Sequence, residues 1–441
     1  MIPTHTSPRL PLASKVAASL AGAVLLATVG LSGAWRPHPA PPFVRATVAL
    51  GGAIGADAVV VDGPLGRVAV GDGLDGVVHL LDDRDGRLLR TIAVGAAFAP
   101  QALAVDARRH RLYVAGQAAD GSGVLLWTLD ARSGVPLHVV RVGGGVARVG
   151  VDERAGRVIV VDDDGHATTR ATLMGRVQRA GRVGPTPLTV AVDARRARAF
   201  VLDGGAYVEG NPSGEGAVSV LDERTGRVLR TIPVGAAPSA IAEDAPAGLV
   251  VVANRGAGTV SVLDARDGAQ RGVIQVGGEP AAVAVNERWG RAFVLDAQND
   301  IVSVIDLHRG VMLRRVRVGM HPHALAIDSM RGLVLIATDG PLDDQGRSLG
   351  PGVVDLLDAA SGAAVRAVPV GVAPRAVAID AWHGLAIVVN SGGAMGAPAE
   401  GATAWVSRLR RWLPWVPALV PVPSAGRAPA SVTILDLRAA R

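Results

Sequence analysis

The sequence predicts an all-β chain folded as a β-propeller of eight four-stranded blades, on three observations. They are a recurring Val-Gly dipeptide, an acidic or amide residue at a fixed distance after it, and a spare strand at the N-terminal end. The dipeptide places its glycine at Gly95, Gly143, Gly184, Gly235, Gly277, Gly319 and Gly371, at intervals of 48, 41, 51, 42, 42 and 52 residues. Nine residues past most of these glycines an apolar strand closes on Asp152, Asp193, Asp244, Asn286, Asp328 or Asp380. Asp106 follows a two-residue insertion, and Asp62 holds the same place in a degenerate first copy. Each unit reads as four short strands, in the fifth Ser239–Asp244, Gly248–Ala253, Gly258–Asp264 and Ala269–Val276, parted by turns such as Arg266-Asp267-Gly268. The strands are β-branched and apolar on both faces, so a lone unit cannot cover itself and its neighbours must stack on it. Four strands per unit of about 40–45 residues, repeated radially, is the propeller solution.

From the N-terminus, residues 1–35 read as a signal peptide or an N-terminal membrane anchor. Arg9 and Lys15 precede an uncharged run, Val16–Trp35, whose twenty residues at about 1.5 Å each just span a hydrocarbon core of about 30 Å. Ser32-Gly33-Ala34 also resembles a signal-peptidase site, with cleavage after Ala34. Either reading carries the remainder across the membrane, which makes the protein extracytoplasmic, secreted or membrane-anchored. Residues 36–42 (RPHPAPP) form a stiff Pro-rich linker, and 43–441 form the propeller.

The last unit supplies only three strands, Arg375–Asp380, Leu385–Val389 and Ser431–Asp436. Phe43–Leu50 (FVRATVAL) matches the fourth strands RLLRTIAV and RVLRTIPV, so it is expected to complete that blade and close the ring. The degenerate stretch Thr168–Gly181 in the third unit leaves seven blades as the alternative.

Composition narrows the function classes. Hydrophobic residues are 49% and charged residues 19%, which excludes a disordered chain, and the 56 glycines lack a collagen period. Aromatics at 3% argue against stacking platforms for sugars or single strands. With no cysteine, disulfides, thiolate metal sites and cysteine nucleophiles are excluded. Lys15 is the single lysine among 45 basic residues, and the arginines are spread along the chain without a run, so no nucleic-acid partner is expected.

Segments such as LVVVANRGAGTVSVLDARDG (Leu249–Gly268) and RLYVAG (Arg111–Gly116) resemble the YVTN-type, YncE-like β-propeller repeat family. The resemblance covers roughly residues 43–441. It implies the architecture firmly and function loosely, because such propellers appear as extracytoplasmic binding modules and as relatives of lactonases and lyases.

Candidate sites lie on one face of the predicted ring. Insertions concentrate there at Gly204–Gly216, Thr338–Gly352 and the forty-residue Ser391–Ala430. Five residues before each strand-closing acid stands a position expected near the channel mouth. Around the ring it holds Asp57, Gln101, Ala147, Leu188, Ser239, Ala281, His323 and Arg375, with His321 close by. Asp57, Gln101, Ser239, His321, His323 and Arg375 are therefore the candidate ligand-binding rim. A His/Arg/Asp group suits an anionic ligand or acid–base work, and equally a salt-bridge network around a wet channel. The insertion 391–430 carries Trp405, Arg408, Arg411, Trp412 and Trp415, a composition fit for a protein partner, a membrane interface or a cap over the propeller itself. His321 and His323 are poorly spaced as metal ligands. Asp162-Asp163-Asp164-Gly165 lacks the spacing of a calcium loop, so no metal or cofactor is expected. The expected function is an extracytoplasmic binding or interaction scaffold and a monomer, its partner a protein or small molecule. A lactonase- or lyase-like enzyme working through the His/Arg/Asp rim is the alternative.

Overall fold

In the computed structural model the described residues run from Phe43 to Ala440, with 52–57, 74, 95–99, 101, 119–122, 144–147, 163–164, 172–176, 206, 209–210, 213, 343–349 and 395–426 left out, as are 1–42 and 441. The chain divides into two units, Met1–Pro41 and Pro42–Arg441, and every described strand belongs to the second. Val16–Trp35 and Ala34 lie outside the described residues.

Eight four-stranded antiparallel sheets account for nearly all of this unit. Blade 1 is Val59–Asp62, Arg67–Asp72, Val77–Asp82 and Leu88–Ala93; blade 5 is Pro238–Asp244, Leu249–Asn254, Thr259–Asp264 and Gln270–Gln275. The third copy resolves the seven-or-eight alternative: His166–Ala171 and Val177–Arg182 pair as the outer half of a complete blade 3. Blade 8 is assembled from both ends of the chain, as Pro374–Asp380, Leu385–Asn390, Ala430–Asp436 and then Val44–Gly51. Val44 pairs with Leu435 and Gly51 with Ala430, and the Asp436 N–H donates to the Phe43 carbonyl at 2.8 Å.

Burial grades outward across each blade. First strands are half-buried along the channel, second strands such as Leu333–Thr338 are buried throughout, and fourth strands such as Val311–Arg317 are mostly exposed. Between blades, apolar side chains of facing sheets interlock. Val68, Val70 and Leu81 of blade 1 pack on Leu385, Ile387 and Val432 of blade 8, and Phe200, Leu202 and Val220 of blade 4 pack on Val250, Val252 and Leu263 of blade 5. Such a core lies at every blade junction, so the ring closes inside 43–440.

The repeated Val-Gly has a steric cause. Gly184, Gly235, Gly319 and Gly371 pass against the polar residue ending the second strand of the following blade, Asp203, Asn254, Thr338 and Asn390, and at Gly277 the next glycine, Gly278, takes this place against Asp296. A Cβ on Gly235 would stand 2.7 Å from Asn254 Cγ, and one on Gly371 would stand 2.6 Å from Asn390 Cγ, too close for any side chain.

The repeated acid has a hydrogen-bonding cause. It ends the first strand and caps the tight turn to the second: Asp193 Oδ1 accepts from the N–H groups of Arg195 and Arg196, and Asp328 Oδ1 from those of Met330 and Arg331. Where the third turn residue is arginine, its guanidinium binds the other carboxylate oxygen and reaches the next blade. Arg196 Nη1 lies 2.7 Å from Asp193 Oδ2 and donates to the Ala245 carbonyl at 2.8 Å. Arg109 joins Asp106 to the Glu153 carbonyl, and Arg331 joins Asp328 to the Ala381 carbonyl, in the same way.

Candidate functional site

First strands run from the end carrying the insertions to the end carrying the tight turns, so their opening residues converge at one mouth of the channel. There a cavity of about 470 Å³ is lined by Ala58, Ala102, Arg148, Thr189, His323 and Arg375 with their strand neighbours. Its charged groups come from three blades: Arg148 from blade 3, His323 from blade 7 and Arg375 from blade 8. No carboxylate stands among the described lining residues.

His323 is held between two charged partners. Its Nε2 lies 2.9 Å from Asp339 Oδ2, at the end of the second strand of the same blade. Arg375 Nη1 lies 2.9 Å from Nδ1 and 2.7 Å from Nε2. One nitrogen nearly equidistant from both ring nitrogens sits across the imidazole face and not on a single in-plane lone pair, so the guanidinium covers one face of the ring. The His323 side chain is 27% exposed and that of Asp339 11%, a half-open arrangement reachable from the channel. Arg148 is positioned by its own bond, Nε to the Leu188 carbonyl at 2.5 Å, which ties blade 3 to blade 4 and aims the guanidinium along the wall.

The rim expected from sequence is only partly assembled. His323 and Arg375 meet. Ser239 does not join them; its hydroxyl donates to the Pro280 carbonyl at 2.6 Å and serves as a tie between blades 5 and 6. His321 is exposed, has a left-handed backbone (φ 46°) and gives its N–H to Asp300 Oδ1 at 2.9 Å, outside the cavity wall. Asp57, Gln101 and Ala147 lie outside the described residues, and so do Asp163 and Asp164 of the acidic turn. Arg148, Thr189 and Asp339 were not singled out by the five-residue count. Arg148 and Thr189 each follow a marked position, at Ala147 and Leu188, by one residue. Asp339 is the second residue of the insertion Thr338–Gly352, so inspection of that insertion from its first residues would have found it.

The large insertion is described only at its base. Gly393–Ala394 pairs antiparallel with Arg427–Ala428, and Ala428 packs on Val372 and Ala373 in the segment that leads into Arg375. Trp405, Arg408, Arg411, Trp412 and Trp415 lie outside the described residues. The segment that carries them therefore leaves and returns beside the channel mouth.

A second group of titratable side chains sits at the opposite end, between blades 8 and 1. His383 Nδ1 lies 2.9 Å from Asp83 Oδ2 and 2.8 Å from Asp380 Oδ2, and both carboxyls are buried. Burial, then the neighbouring Asp380, pushes Asp83 up to about 7. Burial opposes ionisation of Asp380 as well, but its bonds from Asp83 and His383 hold it below the ordinary value. The two carboxyls are thereby set apart, Asp83 holding its proton to higher pH than Asp380. Gly63 lets blade 1 approach, since a Cβ there would stand 2.7 Å from Asp380 Oδ1.

The same position recurs between blades 3 and 4. Glu223 is buried, and burial together with Asp152 beside it pushes its carboxyl up to about 9. In the other blades where it is described the equivalent residue is apolar, at Ala131, Ala265, Leu307, Ala359 and Leu437, each buried. These residues share one backbone bond, their N–H to a carbonyl in the first turn of their own blade, for example Asp83 to Gly66 and Ala359 to Gly332.

No protein-family model matches the chain, and no curated protein is similar to it in sequence.

Proposed function

We propose that this protein is an exported binding scaffold of the YVTN-type propeller kind, which takes a small anionic ligand at the channel mouth and presents the insertion 391–430 beside it. The observation that carries the reading is the cavity itself, about 470 Å³ with Arg148, Arg375 and His323 on its walls. A site of that size suits a compact ligand, and guanidinium forks from two blades suit a carboxylate or phosphate. The base of the insertion, packed on Val372 three residues before Arg375, lets a bound ligand and a protein partner influence each other.

The test is calorimetric titration of the full chain with a panel of small carboxylates and phosphate esters. At least one is expected to bind, and Arg375→Ala and Arg148→Ala are expected to weaken it about tenfold or more, the worth of a charge-assisted hydrogen bond. Absence of binding by every anion, or equal binding by both variants, removes the reading.

A second reading, a lactonase- or lyase-like enzyme, is favoured by one contact, the Asp339–His323 pair at 2.9 Å, because a carboxylate that orients an imidazole is the arrangement a general base needs. It requires turnover of a lactone or related ester that His323→Ala abolishes while the melting curve stays unchanged.

A further inference from the structure

The end of the propeller opposite the channel mouth carries a charged and apolar relief that neither the fold nor the mouth requires. In each blade this end is built from the turn between first and second strands and the turn between third and fourth. The second residue of the first turn is its exposed tip. It is Arg108 in blade 2, Arg154 in blade 3, Arg195 in blade 4 and Arg288 in blade 6, but Met330 in blade 7 and Trp382 in blade 8. The last two are the most exposed large apolar side chains among the described residues, Met330 at 69% and Trp382 at 71%. Third-to-fourth turns, and in blade 8 Arg438 just after the third strand, add exposed arginines, so every blade except the seventh presents at least one at this end. The exposed acids of the same turns are Asp85, Asp267 and Glu287.

Structural duty accounts for one of these tips in part, Arg288, whose guanidinium lies 4.9 Å over the Trp289 ring, and for none of the others. The arginines that tie blades together, Arg109, Arg196 and Arg331, are the next residues along, and they are half-buried against Asp106, Asp193 and Asp328. The tips themselves point outward. Phe43, from which the closing strand departs, lies at this same end, beside Asp436. Upstream of it stand the seven-residue linker Arg36–Pro42 and the uncharged run Val16–Trp35. Seven extended residues reach at most about 25 Å at about 3.3–3.6 Å each.

We propose that this end of the ring docks on an anionic phospholipid surface, with Trp382 and Met330 entering the headgroup layer and the exposed arginines of the other blades' turns binding lipid phosphates. Guanidinium pairs with phosphate in a two-pronged manner, and tryptophan is at home where one side is apolar and the other wet. The two apolar tips belong to blades 7 and 8, and blade 8 is the one that receives the strand following the linker. The chain upstream of the ring thus joins it at the end that carries the apolar tips, through Phe43 beside Asp436.

The test is co-sedimentation of residues 36–441, a piece that contains the whole closed ring, with vesicles of phosphatidylcholine alone or mixed with phosphatidylglycerol. Binding to the mixed vesicles is expected, with little to phosphatidylcholine and a steep loss as salt is raised. Trp382→Ser is expected to weaken binding several-fold, and the combined Arg108→Glu, Arg154→Glu, Arg288→Glu variant at least tenfold, with both variants melting as the parent does. Equal sedimentation with both vesicle types, or indifference to both variants, overturns the proposal. So does tighter binding to a DNA duplex that is unaffected by Trp382→Ser, since the arginines would then serve a nucleic acid.

Discussion

Glu223 occupies a position where five blades keep alanine or leucine, and the cost of that exchange depends on pH. Its carboxyl titrates near 4.3 in an unfolded chain and is pushed up to about 9 in the fold. A carboxyl raised in this way favours the folded state fully at low pH. The contribution is lost as pH climbs from about 4 toward about 9, because the unfolded chain releases the proton first. Glu223→Ala, which restores the residue of blades 2, 5 and 7, is expected to stabilise the protein at pH 8 by about 1–4 kcal/mol, with a smaller gain at pH 5. Urea unfolding of both proteins at the two pH values measures this, and an equal effect at both would contradict it. At this scale the sequence was legible where a residue repeats and opaque where it departs from the repeat. His323 and Arg375 emerged from counting along first strands, yet the channel wall uses the marked position and the residues after it, so Arg148 escaped. Asp83 and Glu223 look like ordinary turn acids after Asp82 and Asp222. Only the neighbouring blade, through Asp380 and Asp152, makes them buried partners of another carboxyl.

Among the elements, the capped turn is the working unit of the fold. One acid satisfies the turn's N–H groups, and in three blades an arginine three residues later carries the carboxylate's second oxygen to the next blade. Removing the guanidinium leaves a buried, half-partnered carboxylate. Arg196→Ala is therefore expected to cost about 2–3 kcal/mol, with a smaller loss for Arg195→Ala at the exposed tip beside it. Comparing the two variants by chemical denaturation separates the tie from the tip. Strand boundaries were legible to within a residue in blade 5, since the strands there are β-branched runs between glycine turns. The inter-blade bond from the Ser239 hydroxyl to the Pro280 carbonyl was not legible, because a count along one strand does not show the next blade.

For the whole molecule, eight blades and their closure followed from the repeat and from one leftover strand, because a propeller's geometry is dictated by how many units must stack. The distribution of charge did not follow. Arginines scattered along the chain gather at one end only once the turns are superimposed, since residues about forty apart become neighbours in the ring. Closure also sets a stability test. Deleting 1–42 is expected to leave the melting temperature unchanged, whereas deleting 1–51 bares the Ala430–Asp436 edge and is expected to lower it and to yield aggregates by size-exclusion chromatography. Equal behaviour of the two truncations would mean that the strand is ornamental.

The pairing of Val44–Gly51 with Ala430–Asp436 joins the earliest strand of the ring to be synthesised to the latest. Thr47 and Thr433, in contact across it, are separated by 386 positions. Every other described blade can form from a contiguous stretch as it emerges; this one waits until Ala430–Asp436 has been made. The ring is thereby a length gauge. A chain that stops before Ala430 leaves its first strand unpaired and the last blade half built. Such a product offers two sticky edges to proteases or to other chains, while the finished one offers none at that joint.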